Sequence, residues 1–195
     1  MSHLIPRLAE TAAPEAEPLA LDDVKTFLRV DQDDEDDEIS ALIATAREVC
    51  ESITGRSLIS RGYSLYLDCW PEARDILLPQ PPLISVAHIH VYAADNTSVT
   101  VATDDYYVDA IGAPGRIVLT EEALPPCPGR IANGIEVQFT AGYGAAPEDV
   151  PPMLRQGMKQ IVAHLYEHRG DSPDQALVAS GAAVLFQPYR LMSLS

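Results

Sequence analysis

Basic residues are scarce in this chain, and their scarcity limits the partners that it can bind. The 195 residues include 13 Lys and Arg against 29 Asp and Glu, which gives a formal net charge of −16 at pH 7. Proteins bind duplex DNA largely by neutralising its phosphates with Lys and Arg. The composition therefore argues against a surface that grips nucleic acid.

Cysteines and long apolar runs are also in short supply. The three cysteines, Cys50, Cys69 and Cys127, form no Cys-x-x-Cys pair, and their odd number argues against a disulfide framework. No apolar run approaches the roughly 18–20 residues of a membrane span. The first 18 residues lack the apolar segment of a signal peptide, so we expect the protein to be cytoplasmic when it is made.

Hydrophobic residues are abundant, at 47% of the chain, and near both ends they recur with a helical period. Intervals of three and four residues predict helices over about 22–30, 36–54 and 152–169. Gly55 and Gly170 stand where the second and third of these helices would end. Two amphipathic helices in one small domain each need an apolar partner, so we expect the second and third helices to pack together. The residues expected in their shared core are Ile39, Leu42, Ile43, Ala46, Val49, Leu154, Met158, Ile161 and Leu165.

Between these helices, from about residue 59 to 144, the period changes to two. Apolar and polar residues alternate over 63–68 and 135–140, which predicts half-buried strands separated by turns rich in Pro, Asn and Gly. The pattern predicts an α+β fold, in which helices at both ends of the domain pack together and an antiparallel β-sheet region is inserted between them in the sequence. Residues 19–170 would form this domain, flanked by a flexible N-terminal arm over 1–18 and a C-terminal tail over 171–195.

One short motif resembles a catalytic site. Residues 164–168 read HLYEH, which fits the His-x-x-Glu-His pattern of inverted zinc metallopeptidases. Such a site also needs a third protein ligand well downstream, and only Asp171 and Asp174 follow, both too close to the helix end. His88 and His90 lie two apart on one strand but have no further ligand at a useful spacing. We therefore expect neither a metal nor a cofactor, and we keep a metallohydrolase only as a distant alternative.

Seven of the eight residues from Asp31 to Glu38 are acidic, which invites comparison with a calcium-binding loop. Counting from Asp31, the glycine position of an EF-hand holds Asp36 and its final acidic position holds Leu42, so the pattern fails. Carboxylates at a helix start also interact favourably with the helix dipole. That explanation is the simpler one, and a contact surface for basic groups of a partner remains a second possibility. No nucleotide-binding or nucleophile-elbow motif is present, so we expect no catalysis.

Taken together, the order and spacing of four segments resemble the head–tail connector (adaptor) family of tailed phages and gene transfer agents. The resemblance spans about residues 19–170. Its segments are LALDDVKTFLRVD with DDEISALIATAREVCESITGRSLI; YSLYLDCWP with ILLPQPPLISVAHIHVY; DDYYVDAIGAPGRIVL; and NGIEVQFTAGYG with VPPMLRQGMKQIVAHLYEHRGD.

This resemblance implies a structural role without catalytic residues. It implies a ring of roughly twelve subunits beneath the portal protein, which extends the DNA channel and joins the capsid to the tail. DNA would pass through without sequence-specific binding, and a stopper or tail-side neck protein would attach below. The protein would assemble in the host cytoplasm and end in the particle neck. The alternative within this class is another neck component, a stopper or a tail-completion protein.

The C-terminal tail contains apolar residues without a clear period, and we expect it to contact a partner. Burying one large apolar side chain is worth roughly 1.5–3 kcal/mol, so several could outweigh the cost of ordering a short segment. A tail folded back on its own subunit, or a disordered one, is the alternative. The residues predicted at this interface are Leu185, Phe186, Tyr189, Arg190, Leu191 and Met192.

Overall fold

The computed structural model describes residues 6–191, which form two units. Residues 6–13 and 60–142 make the β unit, and residues 14–59 and 143–191 make the helical unit. The described chain starts with a short segment of the β unit and then enters the helical unit. It leaves the helical unit for the rest of the β unit and finally returns to it. This arrangement matches the sheet region that the sequence predicts between helices.

The β unit contains eight antiparallel strands in two sheets. Five strands form one sheet in the order β1-β2-β8-β4-β5, and three form the other in the order β3-β7-β6. The strands are β1 (Arg7–Glu10), β2 (Arg61–Leu67), β3 (Asp75–Leu78), β4 (Leu83–Tyr92), β5 (Ser98–Thr100), β6 (Tyr106–Asp109), β7 (Gly115–Leu119) and β8 (Ile135–Ala141).

Strand β8 is the centre of the five-stranded sheet, and its alternation sets the two faces. Odd-numbered residues of β2 and β8 are buried: Leu65 lies opposite Val137, and the rings of Tyr63 and Phe139 stack with centroids 5.5 Å apart. Side chains from the three-stranded sheet join the same core, including Ile117. The even-numbered residues point to the opposite face, which is polar.

The helical unit contains α1 (Leu21–Leu28), α2 (Asp36–Thr54), α3 (Pro152–Glu167), α4 (Pro173–Ala179) and α5 (Ala182–Phe186). Its core lies chiefly between α2 and α3. Ile39, Ile43 and Ala46 are buried as expected from the sequence, whereas Leu42 and Val49 are only half-buried at its edge. No helix within residues 6–191 is long and apolar enough to cross a membrane.

Helix ends follow local chemistry. Arg29 adopts a left-handed conformation with φ 61°, which ends α1 at Leu28 rather than near residue 30. Gly55, with φ 69°, ends α2 as the sequence predicts, and its N–H donates to the Glu51 carbonyl at 2.8 Å. Helix α3 ends at Glu167 instead of residue 169, because His168 leaves the helical conformation.

The fold class is α+β, which confirms the prediction from the sequence, but both terminal segments are more regular than expected. Strand β1 lies inside the supposedly flexible arm and pairs with β2 over four residues. Because its side chains are exposed, the strand is held by backbone hydrogen bonds to β2. The hydrophobic pattern of the sequence therefore did not predict it. In the C-terminal tail, α4 and α5 are too short to show a helical period in the sequence.

The α2–α3 core makes a direct prediction about stability. Ile43 is 3% exposed and belongs to the buried cluster, so Ile43→Ala should lower the free energy of unfolding by about 2–5 kcal/mol. Leu42→Ala is a matched control, because its neighbouring site is only half-buried and should cost less. Denaturant unfolding measures both. A loss below about 0.5 kcal/mol for Ile43→Ala would contradict this core.

Candidate interface surfaces

The C-terminal segment, residues 171–195, carries the interface residues that the sequence predicts, and its described part, up to Leu191, folds onto the helical unit. Phe186 is fully buried, while Leu185, Tyr189 and Leu191 are half-buried and Arg190 is exposed. Met192 lies outside the described residues. Phe186 therefore serves the core of its own subunit rather than an open surface.

Contacts with two helices of the helical unit, α2 and α3, hold this segment. The Phe186 ring fills the space above Gly157 of α3, where an added Cβ would lie 2.4 Å from the ring. At the C-terminal end of α2, the Arg56 Nε–H donates to the Tyr189 carbonyl at 2.6 Å. The Leu191 N–H donates at 3.1 Å to the carbonyl of Thr54, the last residue of α2. The last carbonyls of a helix have no hydrogen-bond partner within the helix, and this contact supplies one. The segment is thus tied to α2 and α3.

The outer side of the segment is what remains available to a partner. Val178 and Val184 are 74% and 70% exposed, and Arg190 is exposed beside the half-buried Tyr189. Single exposed apolar residues are common on protein surfaces. Contact of this segment with a partner stays a prediction, and it rests on these exposed groups rather than on Phe186.

The acidic run begins with an ion-pair clamp between helices. The Lys25 ammonium of α1 lies 2.6 Å from Asp33 and 2.6 Å from Asp36. Hydrogen bonding to both carboxylates raises the pKa of Lys25, and the hydrogen bond from Lys25 lowers the pKa of Asp33. This part of the run joins α1 to the start of α2.

Further along the run, Glu35 accepts hydrogen bonds from Tyr166, in the last turn of α3, and, at 3.1 Å, from Arg169, two residues after that helix ends. Arg169 also lies 3.6 Å from Glu38. These contacts add a specific role to the helix-dipole explanation, because they connect the start of α2 to the end of α3. Asp31, Asp34 and Asp37 are exposed and make no such ion pair among the described residues.

The histidines of the HLYEH motif are engaged with neighbouring groups. The rings of His164 and His168 stack with centroids 4.4 Å apart, and His164 Nε2 lies 2.8 Å from an Asp171 carboxylate oxygen. His168 Nδ1 lies 3.1 Å from the His164 carbonyl. Within residues 6–191 no group of three or more His, Cys, Asp or Glu side chains is arranged to hold a metal ion.

A third surface, which the sequence did not single out, covers the polar face of the five-stranded sheet. Its centre is Glu136 of β8, which is 6% exposed. The carboxylate accepts hydrogen bonds from Ser64 at 2.9 Å, from Gln138 at 3.0 Å, and from both Tyr hydroxyls that flank it. We call this surface the polar sheet face; it comprises Arg7, Ser64, Tyr66, His88, His90, Tyr92, Arg130, Glu136 and Gln138.

The hydrogen bonds keep Glu136 ionised despite its burial. Burial alone would raise the carboxyl pKa, but the bonds from Gln138, Tyr92, Ser64 and Tyr66 outweigh it and lower the pKa to about 2. Over Tyr92, the Arg130 guanidinium lies 3.7 Å from the ring centroid. Alternation in the sequence shows that Glu136 faces away from the core, but only the strand register reveals its partners.

Comparisons with known proteins agree with this architecture. The chain is similar to a chain in the neck of an empty gene transfer agent particle computed with C6 symmetry, with 26% identity, a TM-score of 0.78 and coverage of 97% of each chain. A chain in the neck of the native particle, computed with C12 symmetry, is 26% identical over 97% of each chain, with a TM-score of 0.72. A chain in the virion of a native gene transfer agent particle is 25% identical, with a TM-score of 0.77 and coverage of 96% of this chain and 97% of that one. A search of curated proteins finds no match.

These similarities and the fold define a class, that of structural proteins in the assembly of phage-like particles. Within this class, the model of the head completion protein family matches residues 18–193, so the chain belongs to that family. The resemblance to head–tail connectors that the sequence suggested is thereby confirmed. The matched range extends beyond residue 170 and includes most of the C-terminal segment.

Gly157 offers a test of how the C-terminal segment is held. Gly157→Ala would place a methyl group against the Phe186 ring and should loosen the segment, whereas Gly170→Ala meets no atom within 4 Å. Limited proteolysis with mass spectrometry should show faster cleavage after residue 180 in Gly157→Ala than in Gly170→Ala. Equal cleavage rates in the two variants would contradict this anchoring.

Glu136 predicts a pH dependence of stability. Its pKa is about 2 in the folded protein against an ordinary 4.5, so its ionised form stabilises the fold above pH 4.5, and this contribution is lost as pH falls toward 2. The stability difference between wild type and Glu136→Gln should therefore shrink over that range in denaturant titrations. Glu122→Gln, at an exposed site, should show no such change. A difference for Glu136→Gln that is independent of pH would refute the assignment.

Proposed function

We propose that this protein is a structural head–tail adaptor. Copies of the chain assemble into a ring beneath the portal protein, extend the DNA channel and join the capsid to the tail. The observation that carries this proposal is its similarity, over nearly the whole chain, to proteins in particle necks whose structures were computed with rotational symmetry. Membership of the head completion protein family supports the same role.

A ring of roughly twelve copies suits the symmetry of the related neck. Each copy contributes a formal charge of −16, so the assembled ring is strongly acidic. Carboxylates that face the channel repel DNA phosphates, and this favours passage without binding to any sequence.

The proposed partners lie on the two sides of the ring. The portal protein is on the head side, and a stopper or other tail-side neck protein is on the tail side. We place the portal contact on the exposed side of the C-terminal segment, around Val184 and Arg190, with Tyr189 at its edge. The protein would be assembled in the host cytoplasm and would then remain in the neck of the particle.

Genetic removal tests this role. In cells that make the particle but lack this chain, we expect DNA-filled heads and tails to accumulate separately, because the joint between them is missing. Electron microscopy of lysates counts joined and separate parts, and expression of the wild-type chain in the same cells should restore joining. Fully joined, DNA-delivering particles without the chain would contradict the proposal.

The same assay tests the portal contact. Arg190→Glu reverses an exposed charge beside Tyr189 and should reduce joining, because it repels a carboxylate on the portal side. Arg29→Glu is a matched control at another exposed arginine of the helical unit. If both variants join heads and tails equally well, the portal contact lies elsewhere and the adaptor role itself is untouched.

A further inference from the structure

The polar sheet face contributes to stability through the hydrogen bonds of Glu136, but its aromatic and basic side chains cover no hydrophobic core within residues 6–191. The β unit already has its hydrophobic core on the other side of the five-stranded sheet. The other face of this sheet is polar and does not take part in that core. It carries Tyr66, His88, His90 and Tyr92, all half-buried, with Arg130 stacked above Tyr92.

We propose that the polar sheet face docks on an acidic surface of a second copy of this chain, as the contact between neighbouring subunits of the ring. The inference rests on the proposed ring and names the surface that closes it. Tyrosine and arginine are the residues that contribute most to binding energy in protein–protein interfaces. The face concentrates both residue types around one buried carboxylate.

Hydrogen bonding holds the face in one arrangement before any partner arrives. Glu136 accepts from the hydroxyls of Tyr66 and Tyr92, which fixes both rings. Arg130 is held on two sides, by the Tyr92 ring and by a hydrogen bond of 2.8 Å from its Nε–H to Asn96 Oδ1. Side chains that are already ordered lose less conformational entropy when they bind, so the surface is prepared for an interface.

The charge of the polar sheet face indicates which kind of surface binds to it. The face carries Arg7 and Arg130 against the single carboxylate of Glu136, whose hydrogen bonds all come from within the face. The chain as a whole has a charge of −16, so a weakly positive face is complementary to much of the remaining surface of another copy. Two such faces are not complementary in charge, so we expect the partner surface to be a different, acidic part of the second copy.

A closed ring also requires two different, complementary surfaces on each subunit. In a ring each subunit meets its two neighbours through two different surfaces, a head-to-tail arrangement that closes by rotation. A weakly positive face on one copy and an acidic surface on the next satisfy that condition. The exposed acids Asp31, Asp34 and Asp37 are one such surface that the described residues leave without an ion pair.

Photo-crosslinking in assembled particles tests the occupant directly. p-Benzoylphenylalanine in place of His88 should, on irradiation of purified particles, yield a covalent dimer of this chain, identified by mass spectrometry of the joined peptides. A crosslink to the portal, to another neck protein, or none at all would overturn the inference. If the wild-type chain is absent from particle necks, the proposed function fails, and this inference fails with it.

Charge reversal provides an independent measurement. Arg7→Glu and Arg130→Glu should each reduce the copies of the chain per particle by about tenfold or more, because like charges would then face each other. Arg116→Glu, on the three-stranded sheet, breaks an ion pair with Asp109 of the same subunit and should leave the copy number unchanged. Arg7 is exposed on β1, so Arg7→Glu separates docking from folding, and thermal melts check both variants. Normal copy numbers for folded Arg7→Glu and Arg130→Glu would refute the proposal while leaving the adaptor role in place.

Discussion

The packing of α2 against α3 is the contact on which the helical unit depends, because these helices come from distant parts of the chain. Ile39, Ile43 and Ala46 meet the apolar side of α3, and the ion pair of Glu35 with Arg169 connects the start of α2 to the residues that follow α3. At the other end, the Tyr143 N–H donates to the Leu58 carbonyl at 3.0 Å. The segment that leaves the unit and the segment that returns are thus joined, and the β unit is inserted without breaking the helical core.

The same construction explains how one small chain offers several surfaces. Once α2 and α3 hold the core, the C-terminal segment covers Gly157 and the end of α2 and leaves Val184 and Arg190 outside. The β unit keeps a separate core and presents the polar sheet face. The proposed adaptor would need such distinct surfaces, because it would meet identical neighbours as well as different partners above and below it.

Much of this fold is predictable from the sequence, because long elements repeat their period often enough to be recognised. Helix α2 spans 19 residues, and both of its ends were correctly predicted from its apolar spacing and Gly55. By contrast, α5 has five residues and β1 has four, too few for a period to appear. Their positions come from tertiary contacts, such as Phe186 over Gly157, that no local pattern encodes. Likewise, the alternation of β8 puts Glu136 on the polar face, but Ser64 and Tyr92 reach it only through the register of three strands.

A cryo-electron microscopy reconstruction of the particle neck would show whether copies of this chain form the proposed ring between head and tail. With the subunit marked by a small fused domain, we expect one ring of roughly twelve marked copies between the portal and the first tail-side component. Marked density on the tail side of that component, or a neck complete without any marked copy, would show that the chain is not the adaptor.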